Sequence, residues 1–206
     1  GVVPDILVIS KALSGGFIPV GAIITRREIH SGIFCSMDRC FAHSNTFGQN
    51  DLAMAAGLAT LHVLKEERLI EHAADMGAYL MNGLKDLADR YEMLGEIRGK
   101  GLMIGLQFNE PQSFTLKNRW RLLHKMNEDL FCQIITMPLM QKHHILTQVA
   151  GHGLDTVKIL PPLVIEKADA DYFLEAMDAV LKSAHRFAGT SWKTVMNLGF
   201  RTARTA

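Results

Sequence analysis

Three features of this sequence combine residue type and spacing in ways that could support chemistry: a lysine ahead of paired glycines, a hydroxyl-rich turn, and a group of histidines. The run Asp5-Ile6-Leu7-Val8-Ile9-Ser10 is apolar and rich in leucine and β-branched residues, and it reads as a short buried strand. Lys11 stands where that strand ends, and Gly15-Gly16 permit a sharp turn just beyond it. A lysine at the end of a buried strand is poorly hydrated. Desolvation disfavours its ammonium form and frees a neutral amine able to attack a carbonyl carbon, the chemistry of a Schiff-base lysine. Most lysines after strands instead extend to water, so on residue chemistry alone the solvated reading is the commoner one.

The second feature is His43-Ser44-Asn45-Thr46-Phe47-Gly48-Gln49-Asn50, a stretch without periodicity that runs into a helical segment. Hydroxyls and free backbone N–H groups ahead of a helix suit an anion such as a phosphate. The same residues also serve any helix as ordinary caps, and the stretch alone favours that plainer role. His143, His144 and His152 lie close in sequence. The adjacent pair diverges on any regular element and no acid or thiol lies at ligand spacing, so the pattern is not that of a metal site. Gly99-Lys100-Gly101 suggests a phosphate loop, but no helix follows it.

Those residues need a scaffold. Val20 to Thr25 reads as a second strand and Arg26 to Gly32 as a short helix or turn. Residues 51 to 66 form a helix whose Ala53, Ala55, Ala56, Gly57 and Ala59 allow close packing. In residues 68 to 91, Leu69, Ala73, Met76, Leu80, Leu84, Leu87 and Tyr91 recur at steps of three and four, the mark of an amphipathic helix. A domain boundary is therefore expected near residue 66, with domains 1–66 and 67–206. Residues 97 to 101 read as a glycine turn leading into a strand. Residues 116 to 140 read as one long helix, with Trp120, Leu123, Met126 and Leu130 on one face, bent or ended by Pro138. Two strands follow, at 145–153 and 156–165, the second stopped by Pro161-Pro162. A helix over 168–188 carries Tyr172, Ala176, Val180, Ala184 and Phe187 on one face, and residues 189–206 form a tail.

At 206 residues and 48% hydrophobic content the chain is long enough for a real core. Its net charge of +1, with basic and acidic residues intermixed, argues against a nucleic-acid partner. No apolar run is long enough for a membrane span. The three cysteines, Cys35, Cys40 and Cys132, lack metal spacing and suit a reducing cytoplasm.

Taken in order, Pro4-Asp5-Ile6-Leu7, Ser10-Lys11-Ala12-Leu13-Ser14-Gly15-Gly16 and Pro19-Val20-Gly21-Ala22 closely resemble the cofactor-lysine segment of the class III (ornithine or ω-type) pyridoxal-phosphate aminotransferases. Thr46-Phe47-Gly48-Gln49-Asn50 resembles that family's Thr-Phe-Gly-x-Asn segment. Arg98-Gly99-Lys100-Gly101-Leu102-Met103 resembles the stretch that opens its small domain, and the Pro161-Pro162 strand continues the likeness. The resemblance covers residues 4 to about 187. It implies an α/β, fold-type I PLP-dependent transferase, represented by the end of the large domain and the α+β C-terminal small domain.

It also implies that Lys11 is catalytic and binds pyridoxal 5'-phosphate as a Schiff base. Thr46 would reach the cofactor phosphate of a neighbouring subunit in a homodimer. The implied activity moves an amino group from an amine or amino acid to an aldehyde, ketone or 2-oxo acid, with a step of secondary metabolism among the settings the resemblance allows. Other reactions of the same cofactor (amino migration, decarboxylation, racemisation) and a non-catalytic dimerisation fragment remain alternatives. The family's aspartate on the pyridine nitrogen and its ring-stacking aromatic precede the lysine segment, so the chain is expected to be a C-terminal portion with part of a site. One position departs from the pattern. Ornithine-type members often carry a carboxylate-clamping arginine three residues before Pro-Pro, and here it is Lys158, which is either a substrate contact or a solvated edge-strand lysine.

Overall fold

The computed structural model describes residues 1–186 and Trp192, so the tail expected over 189–206 lies outside the described residues except for that tryptophan. Contacts divide the chain into two compact units, Gly1–Leu69 and Ile70–Ala206.

In the first unit, β1 (Ile6–Ser10) and β2 (Gly21–Thr25) pair antiparallel, with Ile6 opposite Thr25 and Ser10 opposite Gly21. A 3-10 turn, Lys11–Ser14, leaves β1 directly. Helix α1 (Arg27–Ile33) and a 3-10 turn at Met37–Arg39 lead to the loop before α2 (Asp51–Glu66). Asn50 caps α2, its Oδ1 accepting from the Ala53 N–H at 3.1 Å. The small residues of α2 act as the sequence suggests. Ala53 and Gly57 are buried, and a Cβ on Gly57 would lie 3.8 Å from the Leu13 carbonyl oxygen, so the helix packs on the Lys11–Ser14 turn.

The strand at the start is not buried as expected. Ile6, Val8, Ile23 and Ile24 are each more than half exposed. Among the described residues β1 and β2 pair only with each other, and these side chains stay in water.

In the second unit, α3 (Leu69–Arg90) buries Leu80, Leu84 and Leu87. Strands β3 (Leu94–Lys100), β4 (Met103–Phe108), β5 (Gln148–Val149) and β6 (Thr156–Ile159) form an antiparallel sheet in the order β3-β4-β6-β5. Residues 97–100 are thus the end of β3 rather than part of the turn. Gly99 permits this, because a Cβ there would fall 2.4 Å from the Met103 carbonyl oxygen across the hairpin. The turn itself is Gly101, at φ +56°.

The expected helix over 116–140 is two helices, α4 (Phe114–Met126) and α5 (Gln133–His143), with a 3-10 turn at Glu128–Leu130 between them. The break is at Asn127, whose extended backbone and side chain, accepting from the Asp129 N–H at 2.8 Å, hold a local turn in place of a helical one. Pro138 sits buried inside α5, where its φ is compatible with a helix at the cost of one hydrogen bond.

Helix α6 (Lys167–His185) is opened by a capping box between Glu166 and Asp169. It is tied to α3 by Tyr79 O–H donating to Asp171, by Tyr91 O–H donating to Asp178 at 2.7 Å, and by Gly83, which leaves room for Leu174. Trp192 is buried and donates its indole N–H to the Ala184 carbonyl at 2.6 Å.

Alternation along the strands gives the sheet two unlike faces. Ile104, Leu106, Phe108, Val157 and Ile159 point into the core with the helices' leucines. The opposite face carries Arg98, Gly105, Lys158 and Gln148, which stand in one row across all four strands: Arg98 opposite Gly105, Gly105 opposite Lys158, Lys158 opposite Gln148.

Candidate functional site

Lys11 takes its position from the two elements it joins. Ser10 ends β1 in extended backbone, and Lys11 turns at once into the left-handed region with φ +56°. A side-chain-bearing residue there costs about 1–2 kcal/mol. Such strained positions gather at functional sites. The turn is completed by Gly15 and Gly16 at φ +67° and +86°. It is locked by the buried Ser14, which donates to the Ile18 carbonyl while accepting from the Ile18 N–H at 3.1 Å.

The desolvation expected of Lys11 is absent. The residue is exposed, and among the described residues its amine has no hydrogen bond or ion pair. The turn therefore presents an unengaged primary amine on a fixed backbone.

Thr46 belongs to a compact turn built by its neighbour. Asn45 Oδ1 accepts from the Phe47 N–H at 3.1 Å, and the Asn45 carbonyl accepts from the Gly48 N–H at 3.1 Å. The Thr46 hydroxyl is exposed and has no partner among the described residues. A cavity of about 390 Å³ lies between the strand pair and this turn, lined by Ser10, Gly21, Ala22, Asn45 and Phe47 among others. Neither Lys11 nor Thr46 lines this cavity.

The sheet of the second unit corrects the reading of Lys158. Its strand β6 lies between β4 and β5, so it is not an edge lysine. The residue is half-buried and has no hydrogen-bond or ion-pair partner among the described residues. Arg98, two strands away on the same face, reaches Glu96 at 3.1 Å and Gln107 at 3.4 Å, and Gln107 accepts from the Thr156 hydroxyl at 2.6 Å. Between the two cations Gly105 contributes no side chain, and a Cβ there would stand 3.6 Å from Thr156 Cγ2 and 3.8 Å from Arg98 Cγ. Strand alternation around Gly105 and Lys158 carried that signal, but the pairing that aligns Arg98 with them is long-range and has no local mark.

The family model described as aminotransferase class-III matches residues 1–181. The chain belongs to the class III aminotransferases. It is 30% identical over 217 residues to aminotransferase PigE of Serratia sp. (strain ATCC 39006), covering 91% of this chain and 25% of that protein. It is 35% identical over 177 residues to alanine–glyoxylate aminotransferase 2 homolog 2, mitochondrial, of Arabidopsis thaliana, covering 86% of this chain and 34% of the relative. The chain thus spans a quarter to a third of these relatives' lengths.

Among solved structures, it superposes on an (S)-enantioselective omega-transaminase from Thermomicrobium roseum with TM-score 0.72 and 30% identity, over 90% of this chain and 38% of that one. An S-selective transaminase from Arthrobacter sp. with alanine bound gives TM-score 0.75 and 26% identity, over 93% and 40%. Both are transaminases of the fold-type I class expected from the sequence. An amine transaminase from an uncultivated Pseudomonas species, 26% identical with TM-score 0.69 over 88% of this chain and 39% of that one, is described in a PLP-bound form.

Class III aminotransferases use pyridoxal phosphate, and two groups present here fit it. An unpaired amine at a strained strand end suits covalent attachment, and an unpaired hydroxyl in a turn ahead of a helix N-terminus suits its phosphate.

Proposed function

We propose that this chain supplies the lysine and one phosphate-binding residue of an aminotransferase that moves an amino group from an amine or amino-acid donor to an aldehyde, ketone or 2-oxo acid. The observation that carries this reading is Lys11: an unengaged amine held in left-handed backbone at the end of β1, in a class III chain. Pyridoxal phosphate, when bound, supplies the electron sink that stabilises charge at the substrate carbon.

The chain's own residues do the rest. Lys11 Nζ is the atom that would hold the cofactor covalently. As a free amine, Nζ would take a proton from the substrate carbon and return it. The Ser14 lock and the glycine pair fix where Nζ starts. The Thr46 hydroxyl would donate to the cofactor phosphate of a second subunit, and the working form in this reading is a homodimer. The units Gly1–Leu69 and Ile70–Ala206 correspond in this reading to the end of the cofactor domain and the small domain. Three free cysteines suit a cytoplasmic location, and among the described residues no helix is long and apolar enough to cross a membrane.

Lys158 shapes the choice of substrate. An ammonium is a point charge, whereas a guanidinium grips a carboxylate with two parallel hydrogen bonds. A partner amine or carbonyl without an α-carboxylate, of the kind used in secondary metabolism, is the substrate class this lysine favours.

The test is reductive trapping. The intact protein is mixed with pyridoxal phosphate, reduced with borohydride and digested, and the modified peptide is sequenced. Label concentrated on Lys11 and lost in K11R supports the reading. Label spread over surface lysines, or persisting in K11R, sinks it.

A further inference from the structure

The hairpin that joins β5 to β6 is fastened to the rest of the second unit by an unusual set of contacts. His124, on the last turn of α4, points its Nε2 at Asp155, 2.9 and 3.1 Å from the two carboxylate oxygens. Its Nδ1 lies 2.9 Å from the Trp120 carbonyl oxygen, and the ring stacks on the Trp120 indole with centroids 4.6 Å apart. Asp129, in the 3-10 turn after α4, accepts from the Gly153 N–H at 2.7 Å and faces His152 Nδ1 at 2.5 Å. The Cys132 thiol donates to the Leu154 carbonyl at 3.6 Å. Residues 124–132 thus hold residues 152–155, and two of the holding pairs contain a histidine.

The protonation demand of these pairs follows from their partners. A carboxylate and a carbonyl only accept, so both nitrogens of His124 must donate for both contacts to be hydrogen bonds. A neutral imidazole has one N–H and satisfies one of them, whereas a protonated imidazole satisfies both. His152 keeps its single contact when neutral but loses the charge attraction to Asp129. The titratable groups around the rings are Asp155 from the hairpin, Asp129 and Glu128 from the 3-10 turn, and the Cys132 thiol from the start of α5, with Lys125 next to His124 on α4. No cation from another element pairs with either carboxylate among the described residues.

We propose that His124–Asp155 and His152–Asp129 form a proton-dependent latch that holds the β5–β6 hairpin closed when the imidazoles are protonated and loosens it when they are neutral. The strands it controls carry Gln148 and Lys158, so the latch sets how firmly that part of the polar row is held. It acts through backbone position and takes no part in the chemistry.

Amide hydrogen exchange on the full chain, read by mass spectrometry at pH 5.5 and pH 8 and corrected for the intrinsic pH dependence of exchange, tests it. Peptides covering 148–156 are expected to lose protection about tenfold on going to pH 8, while α3 peptides do not change. The pH difference is expected to vanish in H124Q/H152Q. D129N/D155N, which keeps both acceptors without their charge, gives the same reading if H124Q/H152Q fails to fold. Equal protection at both pH values in the unmodified protein, or a pH difference that survives in D129N/D155N, overturns the proposal.

Discussion

Gly77 of α3 and Gly101 of the β3–β4 turn meet backbone against backbone: a Cβ on Gly77 would stand 2.2 Å from the Gly101 carbonyl oxygen and 2.4 Å from its carbonyl carbon. This contact lets the helix lie directly on the hairpin turn. The obstacle is main chain, which cannot swing aside as a side chain can. Exchanging Gly77 for alanine improves helix propensity by about 1 kcal/mol. Overpacking of this kind costs roughly 1–3 kcal/mol, and a clash with backbone lies at the upper end or beyond. G77A is therefore expected to lower stability by about 2 kcal/mol, read from the urea midpoint. An unchanged or raised midpoint would show that the turn moves freely.

Glu92 secures the entry to α4. Its Oε2 accepts from the Gln112 and Ser113 backbone N–H groups at 2.8 and 3.0 Å. The Ser113 hydroxyl, and then these amides, hold its carboxyl below the usual 4.5. A carboxylate whose folded pKa is depressed contributes stability that is present above the unfolded value and is lost as pH falls through the folded one. E92Q is expected to have a lower urea midpoint than the unmodified protein at pH 7, with the difference closing at pH 3. A constant difference at both pH values would place the effect elsewhere.

Cys132 and the two other cysteines differ in reactivity. Burial, reinforced by Asp155 and Asp129, pushes the Cys132 thiol from 9.0 up to about 12, whereas Cys35 and Cys40 are exposed. Its folded pKa being raised, the thiol adds stability that is present below pH 9.0 and lost as pH rises towards about 12. A thiol reagent at pH 8 is expected to titrate Cys35 and Cys40 quickly and Cys132 only after denaturation. Three fast thiols would contradict the burial.

Lys158→Arg places a forked cation at the centre of the polar row. In the active enzyme it is expected to lower KM for an α-amino-acid donor about tenfold, near 1.4 kcal/mol, and to leave KM for a simple amine unchanged. Equal effects on both donors would separate residue 158 from carboxylate recognition.

Much of the helical framework was legible in the sequence because its signals are local. The three- and four-residue recurrence of leucines placed a helix over 68–91, and the structure has Leu69–Arg90. The alanine-rich stretch from 51 to 66 matches α2 residue for residue. The residues read as 145–153 and 156–165 strands shrink to Gln148–Val149 and Thr156–Ile159, because pairing length is set by the neighbouring strand rather than by apolar content. The split at Asn127 was hidden by continuous apolar periodicity on either side of it. For the site, the glycine pair after Lys11 announced the turn, but the left-handed backbone of the lysine itself had no sequence mark, since a residue with a side chain rarely adopts it. The interior position of Lys158 depends on strand order, which no local pattern encodes.

The bare β1–β2 ribbon has a practical consequence. Among the described residues its outer edges are open to further pairing, and Ile6, Val8, Ile23 and Ile24 lie in water, as do Phe17 and Phe47, both more than four-fifths exposed. Unpaired strand edges next to apolar side chains nucleate self-association. Produced alone at high concentration, this polypeptide is expected to precipitate through its first 69 residues. A fusion or co-expressed polypeptide that completes the ribbon would then serve as its solubility tag.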